Sequence, residues 1–396
     1  MIKVAIYSGK IPGPSFIENL IKLIGDNNIN IYLFGSGSYV KYKNSNIKSY
    51  HTPQGKIKIV LFVFSQLLSL FVFHPKKFYK LLCNYSTILK SGSVFISLSK
   101  ILPVLNHTPD IFHIQWAKSL PFWFFLKQIY GIKIILSLRG SHINYSPYAD
   151  NELAEQYKKL FPKVDKMHAV SKKISLKANQ FGAKEDRIER IYSALDVNLL
   201  KTFEKTDYAV HEPFRFLSVG RFHWVKGYQY SIKAIAGLKK LNRKIHYTIV
   251  ANNNISEEIL YQIDELSLNN YIKIIHPNSQ HDVYNIMSKS DCFILPSVQE
   301  GISNVVLEAM AIGLPIITSD CGGMKEIINN GKNGLYFPAR DSEALEKLLY
   351  KLMNYNFLER KKIITQGKKY IKENLDPKLI KSAYHNFYIS EMEVNG

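Results

Sequence analysis

Short apolar, strand-like runs alternate with helical stretches along most of this chain, which predicts an α/β protein built from two doubly wound, Rossmann-like domains. Three observations carry that expectation. The 396 residues are enough for two cores, at 46% hydrophobic content. Strand candidates fall into a first set of six and a second set of five. Between the sets the polar stretch VNLLKTFEKTDYAVHEP, residues 197–213, breaks the alternation and reads as a linker. The expected domains are therefore 1–196 and 214–375.

In the first half the strand candidates are KVAIYS (3–8), INIYLFG (29–35), DIFHIQW (110–116), KIILSLRG (133–140), KMHAVS (166–171) and RIERIYSA (187–194). The second half offers FRFLSVG (214–220), IHYTIVA (245–251), YIKIIHP (271–277), CFILPS (292–297) and PIITSD (315–320). His113, inside the apolar DIFHIQW, reads as a core histidine. SGKIPGPS after the first strand supplies Gly9 and Gly13, where a backbone can approach a ligand or simply turn.

The most informative stretch is FILPSVQEGISNVVLEAMAIGLPIITSDCGG, residues 293–323. FILPS is a buried strand, GIS a tight turn, and NVVLEAMAIG a helix with Ser303 as its N-cap. Glu300 then lies at the carboxyl end of a strand, where open α/β sheets bind ligands, and Glu308 in the second turn of the following helix. Val305, Val306, Leu307, Ala309 and Met310 surround Glu308. A carboxylate there is costly unless it meets a ligand hydroxyl or a cation.

A second stretch, FLSVGRFHWVKG (216–227), ends a strand with Arg221 and Lys226 ahead of the helix YQYSIKAIAGLKKL. Two cations beside a helix amino end suit a diphosphate: arginine offers a planar fork and lysine a mobile point charge.

VGRFHWVKG (219–227) followed by PSVQEGISNVVLEAMAIGLPIITSDCGGMKEII (296–328) resembles the donor-binding half of glycosyltransferase family 4, retaining nucleotide-sugar transferases of GT-B fold. The resemblance covers about residues 214–340. It implies two Rossmann-like domains facing across a cleft, the donor held by the carboxyl-terminal one, and a last helix, about 376–396, that returns to the first. It further implies that Arg221 and Lys226 meet the leaving diphosphate and that Glu300 binds the donor sugar. Glu308 would then take the ribose hydroxyls, and Gly220, Gly301 and the backbone amides of Ile302, Ser303 and Asn304 would line the donor. In LRGSHI (138–143), Arg139 would touch donor phosphate or acceptor, and His142 stands where relatives carry aspartate. At 193–196 only Asp196 matches the family's Asn-Gly-Val-Asp. With Gly13, Arg139 and His142 complete the candidate cleft residues of the first domain. No Asp-x-Asp triplet occurs, so no metal or other cofactor is expected beyond the nucleotide diphosphate sugar as co-substrate. The departures at 142 and 193–195 leave open a non-catalytic nucleotide-sugar-binding or membrane-docking protein of the same fold.

Charge narrows the partners. Residues 1–149 hold 17 Lys and Arg against Glu18, Asp26 and Asp110, a net +14 of the total +20. Such a half should face something anionic: a membrane surface, a lipid-linked diphosphate or nucleic acid. Nucleic acid is disfavoured because no helix-turn-helix, zinc-finger or RNP pattern is present. Three cysteines without CxxC spacing argue against a disulfide framework or a zinc site, and MIKVAIYSGK, which goes straight into an apolar strand, leads one to expect no signal peptide. Together these suggest a cytoplasmic protein peripheral to the inner face of the membrane, and the family resemblance implies an enzyme acting on a saccharide or lipid-linked saccharide in bacterial surface-polysaccharide synthesis. The run IVLFVFSQLLSLFVF (59–73), flanked by Lys56, Lys58, Lys76, Lys77 and Lys80, is short for a span of about 20 residues. It is either a core helix or an interfacial one. LPFWFFLKQIYG (120–131) carries the same two readings.

Overall fold

The computed structural model describes residues 1–25, 28–89 and 93–393. The chain divides into two compact units. The first comprises residues 1–170, 174–194 and the chain from Ile380 onward; the second comprises 171–173 and 195–379.

The first unit is built on seven parallel strands: β1 (Ile2–Ile11), β2 (Ile29–Gly37), β3 (Ile47–Thr52), β4 (Ile111–Ile114), β5 (Lys133–Leu138), β6 (Lys166–Ala169) and β7 (Ile188–Arg190). Their order is β3-β2-β1-β4-β5-β6-β7. Alternate residues of β1 feed opposite layers, as the two-residue period of a strand requires. Val4 and Ile6 pack with Leu20 and Ile24 of helix α1 (Ser15–Ile24). Ala5 and Tyr7 face the layer that holds Val63 and Leu70 of α2 (Lys56–Phe73), Leu81 of α3 (Pro75–Cys83), and Ile101 and Leu105 of α4 (Val94–His107).

The second unit has six parallel strands: β8 (Phe214–Val219), β9 (Ile245–Val250), β10 (Ile272–Ile275), β11 (Cys292–Leu295), β12 (Ile316–Ser319) and β13 (Leu335–Phe337), in the order β10-β9-β8-β11-β12-β13. Its helices include α5 (Tyr228–Lys240), α6 (Gln280–Ser288) and α7 (Asn304–Ile312). Val306, Leu307, Ala309 and Met310 are buried, as the apolar run of α7 anticipates.

The final helix, α8 (Pro377–Glu393), contributes Ile380, Tyr384, Phe387 and Tyr388 to the core of the first unit. Tyr388 Oη lies 2.7 Å from His113 Nδ1, and His113 Nε2 lies 2.9 Å from Ser137 Oγ, so His113 is a satisfied core group. Of the tail expected to return to this unit, residues 394–396 lie outside the described residues.

Several expectations are corrected. Strands β3 and β13 were not anticipated, because IKSYHT buries only Ile47 and LYF is three residues long. RIERIYSA shortens to β7. The stretch 197–213 is no free linker: Val197–Lys201 is helical, and Lys205 is buried with its ammonium 3.2 Å from Asp291 Oδ1. Of the two readings left open for LPFWFFLKQIYG, the core one holds, with Leu120, Trp123, Phe124, Phe125 and Leu126 all buried. The 59–73 run goes the other way. Its helix starts at Lys56, and only Val63 and Leu70 of its eighteen residues are buried, which removes the core-helix reading.

Candidate active site

In the second sheet β8 and β11 are neighbours, while the chain from β8 runs outward to β9 and β10 and the chain from β11 runs to β12 and β13. That reversal of strand order opens a crevice at the strand carboxyl ends, where doubly wound sheets take ligands. The loops that leave β8 and β11 carry the residues singled out by the sequence.

The first loop is held rigidly. Phe222 N–H donates to Asn253 Oδ1 at 2.7 Å, Asn253 Nδ2 donates to Phe222 O at 2.9 Å, and Tyr228 Oη donates to Gly220 O at 2.8 Å. Gly227 has φ +65°, and a Cβ there would lie 2.1 Å from Pro296 O. Only glycine lets the two loops touch backbone to backbone. Val298 N–H then donates to Val225 O at 2.8 Å, joining them.

Across this junction Lys226 Nζ sits 2.7 Å from Glu300 Oε1, and Ser297 Oγ donates to the same oxygen at 2.9 Å. The loop after β12 supports Glu300 from behind. Gly323 N–H donates to Gly301 O at 2.8 Å, Ser319 donates to Ser297 O, and Gly322, at φ +57°, has Glu300 O where its Cβ would fall. Arg221 is exposed and makes no ion pair among the described residues. His223 is held below the ordinary histidine value by partial burial and then by the Arg221 and Lys226 cations.

Helix α7 begins just beyond. Ser303 occupies its N-cap but does not cap: the hydroxyl makes no bond to the helix and is buried with no hydrogen-bond partner among the described residues. The first N–H groups of a helix also lack intrahelical acceptors, so this end presents several donors to an anionic or hydroxylated ligand.

Glu308 is buried in the second turn of α7, with Tyr284 Oη 3.3 Å and Gln280 Nε2 3.4 Å from Oε1. Both contacts come from α6 and both are long. Burial therefore dominates and pushes the carboxyl up to about 7, against smaller opposing contributions from Tyr284 and Gln280. Besides the ligand hydroxyl or cation the sequence led one to expect, two protein groups hold this carboxyl weakly.

In the first unit Gly13 follows β1, and its N–H donates to Glu18 Oε1 at 2.7 Å. Arg139, after β5, is buried. Its Nη2 donates to Gln115 Oε1 at 2.9 Å, the guanidinium lies 4.5 Å from the Phe16 ring, and Arg139 Nε and Gln115 Nε2 have no hydrogen-bond partner among the described residues. His142 stands at 5.4 Å from the Trp116 ring, and burial followed by Lys118 lowers it to about 4.

Sequence reasoning passed over Ser297, Asn253, Gln280 and Tyr284. The i,i+4 spacing of Gln280 and Tyr284 shows that they share a helix face but not that the face meets Glu308. Among the described residues no group of three or more His, Cys, Asp or Glu is placed to hold a metal ion.

Two parallel, doubly wound sheets, the second with cations and carboxylates at its switch point, define a GT-B fold. The crystal structure of Anabaena Alr3699/HepE in complex with UDP and glucose superposes with a TM-score of 0.72 over 98% of this chain and 100% of that one, at 17% identity. Residues 201–370 match the family model described as glycosyl transferases group 1. Among curated relatives, the amylovoran biosynthesis glycosyltransferase AmsK of Erwinia amylovora is 31% identical over 150 residues, 36% of this chain and 37% of that protein. An N-acetylgalactosamine-N,N'-diacetylbacillosaminyl-diphospho-undecaprenol 4-alpha-N-acetylgalactosaminyltransferase of Campylobacter jejuni is 29% identical over 178 residues, 44% of this chain and 47% of that protein. The chain therefore spans less than half the length of either relative.

Proposed function

We propose that this protein is a retaining glycosyltransferase of family 4 that moves a sugar from a nucleotide diphosphate sugar to an acceptor hydroxyl. The observation that carries the reading is the Lys226–Glu300 pair at the switch point of the second sheet, beside the exposed Arg221. A donor of this class has an anionic diphosphate next to a polyhydroxyl sugar, and the pair sets a phosphate ligand beside a hydroxyl acceptor.

In this reading Arg221 and Lys226 stabilise the charge that builds on the leaving diphosphate as the bond from the anomeric carbon to the phosphate oxygen breaks. The diphosphate competes with Glu300 for Lys226, which turns the Glu300 carboxylate toward the sugar hydroxyls. Ser303 and the first amides of α7 donate to donor oxygens. Glu308 accepts from the ribose hydroxyls, and those bonds favour its ionised form, which burial otherwise disfavours. In this reading the charge is met by side chains without a metal, so chelation should leave turnover unchanged.

The relatives' names support an acceptor in surface-polysaccharide or lipid-linked saccharide synthesis. The net +14 of residues 1–149 supports an anionic acceptor on the first unit, at the inner face of a membrane. The direct test is the release of nucleoside diphosphate from a panel of nucleotide sugars, with and without lipid-linked saccharide. Release that requires Arg221 and Lys226 is expected. Binding of a nucleotide sugar without turnover under either condition would make the protein a binder instead.

A further inference from the structure

Helix α2 exposes what an ordinary surface helix buries. Ile57, Leu61, Phe64, Leu68 and Phe71 recur at spacings of four, three, four and three, which places them on one stripe, and each is 57–77% exposed. The stripe continues onto the start of α4, where the exposed Phe95 lies 6.4 Å from the Phe64 ring. A contiguous apolar face of this kind marks a site of association.

We propose that this stripe is a membrane-insertion face, which lays α2 in the plane of an anionic bilayer with its side chains among the upper acyl chains. Charge selects this occupant. Lys56, Lys58, Lys76 and Lys80 stand exposed at the two ends of the stripe, and no acidic residue occurs between Asp26 and Asp110. A bilayer of anionic lipid stacks negative headgroups directly over hydrocarbon, the same layering in complementary sign. A second copy of this chain would instead bring lysines against lysines with no carboxylate on the face to pair them.

The helix lies on the surface rather than across the membrane, although it is long and apolar enough to cross by length and composition. Val63 and Leu70 on its opposite side are buried in the first unit's core, and Asn106 Nδ2 donates to Gln66 O at 3.1 Å and to Gln66 Oε1 at 2.9 Å. These ties hold the middle of the helix to α4, whereas a spanning segment exposes its whole circumference to lipid.

The surface rests on the stripe and its charges, not on the sugar-transfer reading, so its test is run without nucleotide. The full chain is floated with phosphatidylcholine vesicles with and without phosphatidylglycerol, across a salt series, alongside Phe64→Asp/Leu68→Asp and Lys56→Glu/Lys76→Glu. All four positions are exposed, and thermal melts check that the variants stay folded. The wild type should bind the anionic vesicles and lose binding as salt rises. Both double variants should bind at least about tenfold more weakly. A Phe64→Trp variant should show a blue-shifted emission on anionic vesicles only. The proposal is overturned by wild-type binding that the Phe64/Leu68 variant retains, by no binding at low salt, or by self-association in solution that the same substitutions abolish.

Discussion

Lys226 and Glu300, seventy-four positions apart, meet at 2.7 Å with side chains only 18% and 15% exposed, and so join the loops that leave β8 and β11. The contact makes one electrostatic unit of two loops that the sequence could only place at the same sheet edge. It also sets Arg221 and Lys226 different tests.

Arg221→Ala and Lys226→Ala should each lower turnover at saturating donor by a factor on the order of 100 or more, as loss of one preorganised charge donor does. Their effects on stability should differ. Arg221 makes no ion pair among the described residues, so its melting temperature should hold, whereas Lys226→Ala removes the ion pair from a largely buried carboxylate that keeps its Ser297 donor and should cost about 1.5–3 kcal/mol, as loss of a hydrogen bond to a charged group does. Near-normal turnover in both variants would remove the diphosphate assignment.

The elevated Glu308 carboxyl makes stability depend on pH in a known direction. Its folded value of about 7 lies above the ordinary 4.5, so its contribution is fully present below 4.5 and is lost as pH rises to about 7 and beyond. Glu308→Gln stays neutral throughout. The substituted apoprotein should match the wild type near pH 4.5 and exceed it by about 3 kcal/mol at pH 8, since one unit is about 1.4 kcal/mol. Urea melts at the two pH values measure this. A variant less stable than wild type at pH 8 would show that Tyr284 and Gln280 hold the carboxylate better than their distances suggest.

The two glutamates should separate by ligand. Glu308→Gln is expected to weaken binding of the free nucleoside diphosphate, because ribose is present there, while Glu300→Gln should chiefly weaken the sugar nucleotide. Calorimetry with both ligands decides, and equal losses in both variants would end the division of roles.

Gly227→Ala tests the loop junction. Alanine is strained at φ +65°, and its Cβ would fall 2.1 Å from Pro296 O. Separating the loops should cost about 3 kcal/mol or more and weaken donor binding with it. A variant with unchanged urea midpoint and nucleotide affinity would show that the close approach is dispensable.

How much of this was legible in the sequence depended on how local each signal is. Glu300, Ser303 and Glu308 lie within nine residues, so their strand-turn-helix setting could be read from the apolar runs on either side. The contact between Lys226 and Glu300 needs β8 beside β11, and strand order is a tertiary fact. The partners of Glu308 come from α6, whose pattern carries no mark of the helix it meets. Strands β3 and β13 stayed hidden because one is a polar edge strand and the other is only three residues long. Helix α2 stayed open between two readings for the opposite reason: an apolar run states how much surface wants to leave water, not what covers it.

The most direct measurement is a thermal-shift screen of nucleoside diphosphates and their sugars against the wild type, Lys226→Ala and Glu308→Gln. At about 100 times its Kd a ligand adds roughly 2.7 kcal/mol to native stability. The wild type should show a clear shift with at least one diphosphate, and that shift should shrink in both variants. If no nucleotide stabilises the wild type, or if one does so equally in all three proteins, the second unit does not hold a nucleotide diphosphate sugar at Lys226, Glu300 and Glu308.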